Sequence, residues 1–327
     1  MTGRRDFLIS AASGAVLAAA APLRARASQA GSYAAFLAGI RADALAQGLS
    51  PSIVGRALAL EAPNARVLQL DQHQPEFTLT WAQYRQRVLT AKKLADGKAA
   101  SAMRMGLLRA VSRRYGADPQ PLMGIWGLES AYGTRTGSFR ITDALATLAY
   151  DGRRASFFRA ELMNALRILD HGDVAPENMT GSYAGAMGQP QFMPSAYLRY
   201  AVDYAGNGRR DIWTSEPDVF GSIANYLGRC GWVPGEPWGQ EIAVPPVLAQ
   251  SELGRGAVRT LGEWMDRGVT RLDGRRFSRT DIRGAVIRPD GPGGEAFMVY
   301  RNFSVIRRYN PSDFYALAVG LLGRDVT

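Results

Sequence analysis

The chain has 327 residues, 46% of them hydrophobic and 21% charged, enough to bury the core of one large domain or of two to three smaller ones. Its net charge of +10 suits an anionic partner such as nucleic acid, a membrane surface or an acidic polymer, but the arginines are spread along the chain and no nucleic-acid recognition motif is present. One cysteine, Cys230, excludes an internal disulfide framework and a cysteine-cluster zinc site, and the two distant histidines, His73 and His171, exclude a histidine-rich metal centre and give a Ser-His-Asp triad no support.

Residues 1–27 read as a targeting segment. Arg4-Arg5-Asp6-Phe7-Leu8 is a twin-arginine signature, the run from Leu8 to Ala21 is mostly apolar, and Ala25-Arg26-Ala27 is a small-x-small cleavage site. The apolar run is shorter than the roughly 20 residues of a membrane span; an uncleaved anchor is the alternative. With no cysteine near the cut, lipid attachment there is chemically closed. Cleavage after Ala27 removes four arginines and one aspartate and leaves a charge of +7. An exported, soluble, basic protein is expected.

From Tyr33 to about Tyr115 apolar residues recur at three- and four-residue intervals, as in Phe36-Leu37, Ile40, Ala44-Leu45, Ile53 and Ala57-Leu58, which predicts helices. Ser50-Pro51 supplies an N-cap and a first helical residue. His73 lies in a polar, proline-flanked loop and reads as a surface residue. A second helical stretch carries Trp81 and Tyr84, and a third runs from near Ala100 to Tyr115. Asp118 is placed to cap the helix that follows.

That helix contains Gly124-Ile125-Trp126-Gly127-Leu128-Glu129-Ser130-Ala131-Tyr132-Gly133. On a helix, Ile125, Trp126 and Tyr132 share a side with Glu129. A carboxyl held against that much hydrocarbon keeps its proton to higher pH, because desolvation disfavours the ion. Such a group could protonate a leaving oxygen. On local sequence alone, capping or arginine pairing is the simpler role for Glu129.

Ala144 to Tyr150 predicts a buried helix, and Arg153-Arg154 at its end could bind an anion or cap carbonyls. An amphipathic helix from about Ser156 to Leu169 follows. The segment Gly181 to Tyr197 combines three glycines, two prolines, two glutamines and three aromatics, a composition suited to a binding wall for a hydroxyl- and amide-rich ligand, although a structural loop could also be built this way. Asp203 to Asp211 resembles the start of a calcium loop, with Asp203, Asn207 and the more distant Asp218 as candidate ligands. Ala205 replaces an oxygen ligand, so a turn ordered by side-chain hydrogen bonds is the preferred alternative. A helix from Phe220 to Leu227 carries Asn225 and Tyr226. Glu241 to Val244, Gly284 to Ile287 and Ala296 to Tyr300 predict strands of a small sheet, and the chain returns to helix around Tyr309.

Taken together, the blocks Trp126 to Gly133, Ala144 to Arg154, Gly181 to Tyr197, Asp203 to Trp213 and Tyr309-Asn310 resemble the lytic murein transglycosylase B family, glycoside hydrolase family 103. The resemblance runs from about Tyr33 to the C-terminus. It implies a mainly α (α+β) protein, in which a lysozyme-like helical core is joined by an additional helical part and a small antiparallel β-subdomain. The expected boundaries are 1–27 for the targeting segment, 28–115 for the helical part, 116–237 for the core, 238–302 for the β-subdomain and 303–327 for the returning helix.

The resemblance further implies that Glu129 is the catalytic carboxyl, and that Ser182, Gln191, Phe192, Asn225 and Tyr226 line a glycan cleft, with Tyr84, Arg153, Arg154 and Tyr309 around it. Its reaction cleaves peptidoglycan between N-acetylmuramic acid and N-acetylglucosamine and leaves a 1,6-anhydro ring. No cofactor is required, with calcium doubtful because of Ala205. The expected partner is the glycan strand rather than nucleic acid, with other cell-wall enzymes as further candidates, and the expected state is a soluble periplasmic monomer. Two alternatives stand beside this: a water-using muramidase, which needs a second carboxylate such as Asp143 or Asp151, and a non-catalytic wall-binding protein.

Overall fold

The computed structural model describes residues 31–72 and 79–327. The twin-arginine segment, its cleavage site and His73 lie outside them. In chain order the helices are α1 (Tyr33–Ala46), α2 (Pro51–Ala57), α3 (Ala65–Gln72), α4 (Trp81–Val88), α5 (Ala91–Tyr115), α6 (Pro119–Ser130), α7 (Ile141–Asp151), α8 (Ala155–Asp170), α9 (Pro194–Tyr200), α10 (Glu216–Arg229), α11 (Leu261–Asp266), α12 (Arg301–Tyr309) and α13 (Asp313–Val326). The strands are β1 (Phe139–Arg140), β2 (Thr180–Gly181), β3 (Gly239–Ala243), β4 (Arg259–Thr260), β5 (Thr270–Arg271), β6 (Arg283–Ile287) and β7 (Ala296–Val299). The chain is mainly helical with a small antiparallel sheet, in agreement with the fold class expected from sequence.

Two units divide the chain. The first takes the described residues up to 72 together with Glu129–Ile223; the second takes 79–128 and Ala224–Thr327. In the first unit α7 packs along α8, with α1, α2 and α3 against this pair. Eight residues of α7, from Ile141 to Ala149, are buried, which is why that stretch reads as apolar all round. On α8 the buried set from Phe158 to Leu169 recurs at helical spacing. Ser50 sits at the N-cap of α2 as expected, but its hydroxyl does not cap it. The hydroxyl lies 3.0 Å from that of Ser52, and the backbone N–H donates to Asp170 instead.

In the second unit, α5 begins at Ala91 rather than near Ala100. Thr90 caps it by accepting from the N–H of Lys93, and good helix formers carry the exposed first turns that lack an apolar stripe. α13 is buried over most of its length, and α6 lies close against it. A Cβ on Gly124 would stand 2.1 Å from the Val319 carbonyl oxygen, and one on Gly320 would stand 2.1 Å from the Trp238 ring. Only glycine permits this backbone approach. The sheet has strand order β4-β6-β7-β3-β5, antiparallel throughout. Trp264 of α11 anchors its core beside Ile242, Val286 and Met298, and its indole N–H donates to the Gly284 carbonyl at 3.0 Å.

Candidate active site

Glu129 is 8% exposed and is the last residue but one of α6. The helix does not continue to Tyr132. Ala131, Tyr132 and Gly133 take left-handed backbone, with φ of 47°, 59° and 81°, so Tyr132 does not share a helical face with Glu129. Ser130 makes the stop. Its hydroxyl accepts the N–H of Gly133 at 3.1 Å and its carbonyl accepts that of Arg135 at 2.8 Å, while the Thr134 hydroxyl donates to the Ala131 carbonyl at 2.8 Å. These bonds offset a cost of roughly 1–2 kcal/mol for each left-handed residue with a side chain.

The turn leads into β1, which pairs with β2 and brings Phe139 opposite Gly181. Gly137 is needed here: its φ is +86°, and a Cβ would stand 2.1 Å from the Gly181 carbonyl oxygen. Beyond Gly181 the chain folds back on itself. Ser182 accepts the N–H of Ala186 on its hydroxyl at 3.0 Å, and Met187 and Phe192 exchange backbone bonds at 2.8 and 3.1 Å. Gln191 has a left-handed φ of 54° and is 8% exposed. Its side-chain nitrogen donates to the carbonyls of Thr136 at 2.9 Å and Gly188 at 2.7 Å, joining this segment to the one that follows Glu129. Phe192 is 2% exposed, so it supports the segment from the interior and offers no stacking face. Glu129, Ser182, Gln191 and Phe192 thus belong to one connected part of the first unit.

Arg153 and Arg154 sit between α7 and α8. Arg153 donates to both the carboxylate and the carbonyl of Asp71. The Arg154 guanidinium lies 4.5 Å from the centre of the Phe157 ring and 5.4 Å from that of Phe158.

In the second unit, the Tyr226 and Tyr309 rings lie 4.7 Å apart, and the Tyr226 hydroxyl donates to the Arg308 carbonyl at 2.5 Å. Asn225 is the residue before Tyr226 on α10. Tyr84 on α4 packs against Trp81 and Phe314 at ring separations of 6.2 and 5.7 Å. Asp118 accepts the indole N–H of Trp232 at 3.0 Å.

The loop after α9 turns its acids toward main-chain amides. Asp203 accepts from Gly206, Asn207 and Gly208 at 2.6, 3.1 and 2.7 Å, and the fully buried Asp218 accepts from Tyr204, Ala205 and Asp211 at 2.8, 2.9 and 3.1 Å. Asn207 accepts from the N–H of Arg209. Ala205 supplies no side-chain oxygen where a calcium loop has a ligand. Thr136, Gly137 and Glu161 also shape this unit, and sequence gave no signal for them because each acts through a partner at least 34 residues away.

A family model for the transglycosylase SLT domain matches residues 32–324. The chain is 35% identical over 248 residues to the membrane-bound lytic murein transglycosylase B of Escherichia coli strain K12, covering 75% of this chain and 67% of the relative. Its structure is similar to that of SltB3 from Pseudomonas aeruginosa in complex with NAG-anhNAM-pentapeptide, with a TM-score of 0.87, 40% identity and coverage of 90% of this chain and 79% of that one. It is also similar to the Escherichia coli lytic transglycosylase Slt35 in complex with calcium, with a TM-score of 0.75, 31% identity and coverage of 89% and 92%.

Proposed function

The chain belongs to the transglycosylase SLT domain family, and on that premise we propose that it cleaves peptidoglycan glycan strands between N-acetylmuramic acid and N-acetylglucosamine without consuming water. The observation that carries this reading is the buried Glu129, set at the end of α6 ahead of a turn that is bonded to the Gly181–Phe192 segment.

Glu129 first acts as an acid. It gives its proton to the bridging oxygen as the bond to C1 breaks. The substrate's own 2-acetamido oxygen holds the cation, so no protein nucleophile is required. The ionised Glu129 then takes the proton from the muramic C6 hydroxyl as that oxygen attacks C1. The product is a 1,6-anhydro ring, and the tethered attack replaces a positioned water through its high effective molarity. A hydrolytic route draws no support from the two acids considered for it: Asp143 accepts a hydrogen bond from the Asn64 side chain at 2.7 Å, and Asp151 is exposed at the end of α7.

In the first unit Ser182 offers a polar contact to the glycan, and the half-exposed Arg153 offers charge to lactyl or peptide carboxylates; in the second unit the Tyr226–Tyr309 pair, with Asn225 and Tyr84, is taken by itself as a sugar-contact surface. The twin-arginine segment supports the reading that the mature protein is exported to the periplasm. Among the described residues no helix is long and apolar enough to cross a membrane. No cofactor enters the reaction, and the protein works as a monomer.

The test is mass spectrometry of muropeptides released from sacculi by residues 28–327 in oxygen-18 water. Unlabelled 1,6-anhydromuropeptides are expected from the wild type and none from a folded Glu129→Gln variant. Labelled reducing ends would replace this reading with hydrolysis, and glycan binding with no product would replace it with a wall-binding protein.

A further inference from the structure

Among the described residues, the non-glycine residues with left-handed φ are Ala131, Tyr132 and Gln191, and all three lie in the two segments joined near Glu129. Strained backbone persists only where the surroundings over-determine it. For Ala131 and Tyr132 the local bonds of Ser130 and Thr134 do this. For Gln191 the determinant is its own side chain. The orientation of that amide is fixed without ambiguity, because both neighbours of its nitrogen are carbonyl oxygens, which only N–H groups can meet. Both donors are therefore spent inside the protein, and Oε1 remains as an acceptor.

We propose that Gln191 is a positioning residue, an amide clamp that pins the Gly188 loop to Thr136 and thereby holds the left-handed turn behind Glu129. The path is short and continuous. Gln191 holds the Thr136 carbonyl, Arg135 is bonded back to Ser130, and Ser130 directly follows Glu129. Loss of the clamp frees the turn and lets the carboxyl wander from the bridging oxygen, while glycan contacts made by other residues stay in place. The proposal rests on Glu129 being the acid of the reaction assigned above, and it changes the part expected of Gln191 from a sugar contact to a support of the acid.

Two variants test it. Gln191→Met keeps the length and removes both donors; Gln191→Asn keeps an amide and tolerates left-handed backbone but falls one methylene short. Each is compared with wild type for kcat on a soluble peptidoglycan tetrasaccharide, for affinity toward the same glycan in a Glu129→Gln background, and for amide hydrogen exchange across residues 130–137. The expected result is a fall in kcat on the order of 100-fold, an affinity changed by less than about threefold, and exchange in 130–137 faster by about tenfold or more. Unchanged exchange in the folded variants overturns the clamp. So does a loss of affinity as large as the loss of kcat/KM, which would make Gln191 an ordinary sugar contact. If Gln191→Met does not fold, Gln191→Asn decides. Hydrogen exchange needs no turnover, so an inactive wild type sinks the assigned reaction while the exchange data still judge the clamp.

Discussion

Glu161 on α8 accepts two hydrogen bonds from Ser195, one from its hydroxyl at 2.6 Å and one from its backbone N–H at 2.8 Å. A buried carboxylate, 4% exposed, thus caps the start of α9 from another helix, where the N-cap residue Met193 makes no side-chain bond. Glu161→Ala leaves two donors unpaired and is expected to cost about 2–4 kcal/mol, because hydrogen bonds to charged groups are stronger than neutral ones. Glu161→Gln is expected to cost less, since one acceptor is retained. Urea unfolding checks this: an Ala variant with an unshifted midpoint would show that the cap contributes nothing.

Two left-handed glycines separate conformation from packing. Gly206 has φ +75° with open space where a Cβ would go, whereas Gly137 combines φ +86° with the Gly181 carbonyl oxygen 2.1 Å from that position. Gly206→Ala is expected to cost about 1–2 kcal/mol, from backbone strain alone. Gly137→Ala adds a clash with main chain and is expected to exceed it by about 1–3 kcal/mol, with loss of the β1–β2 pairing. Equal losses in thermal unfolding would mean that the close approach is relieved without effect.

The legible parts of the chain were those with local signals. The apolar run of α7 and the strands β3, β6 and β7 follow from composition and spacing, and Glu129 stands out as one acid beside Ile125, Trp126 and, on the helical reading, Tyr132. The illegible parts depend on distant partners. Nothing near Gln191 foretells that its amide faces Thr136, 55 residues away, or that Phe192 turns inward rather than toward a ligand. Left-handed backbone at a tyrosine has no sequence signature, so Tyr132 reads as part of a helical face, and the first turns of α5 are silent because their exposed lysines and alanines show no apolar stripe.

Buried phenols should set the alkaline limit of stability. Burial pushes the Tyr33 hydroxyl from 10.0 up to about 12, and it also raises those of Tyr197 and Tyr300. Between these values the unfolded chain releases phenolic protons that the folded chain keeps. The stabilisation is therefore complete below pH 10 and is lost as pH climbs toward the folded value of about 12. Unfolding free energies measured at intervals across this range should decline, and Tyr33→Phe should make the decline shallower. A Tyr33→Phe profile parallel to wild type would remove Tyr33 from this account.

Calcium should not stabilise the loop between α9 and α10. A buried carboxylate needs compensation for its lost hydration, and Asp218 receives it from the amides of Tyr204, Ala205 and Asp211. Asp203 is likewise engaged by the amides of the loop it begins, and position 205 brings no oxygen ligand. The apparent stability gained from a ligand grows with its concentration over Kd, so a functional site would raise Tm on passing from a chelator to millimolar calcium. We expect a change of less than about 1 °C, which would require any binding to be too weak to shift the folding equilibrium. Asp218→Ala, by contrast, leaves three amides without their acceptor and is expected to cost about 3 kcal/mol or more, with no recovery on adding calcium. A calcium-dependent rise in the wild-type Tm that disappears in Asp218→Ala would reverse the conclusion and place a metal in this loop.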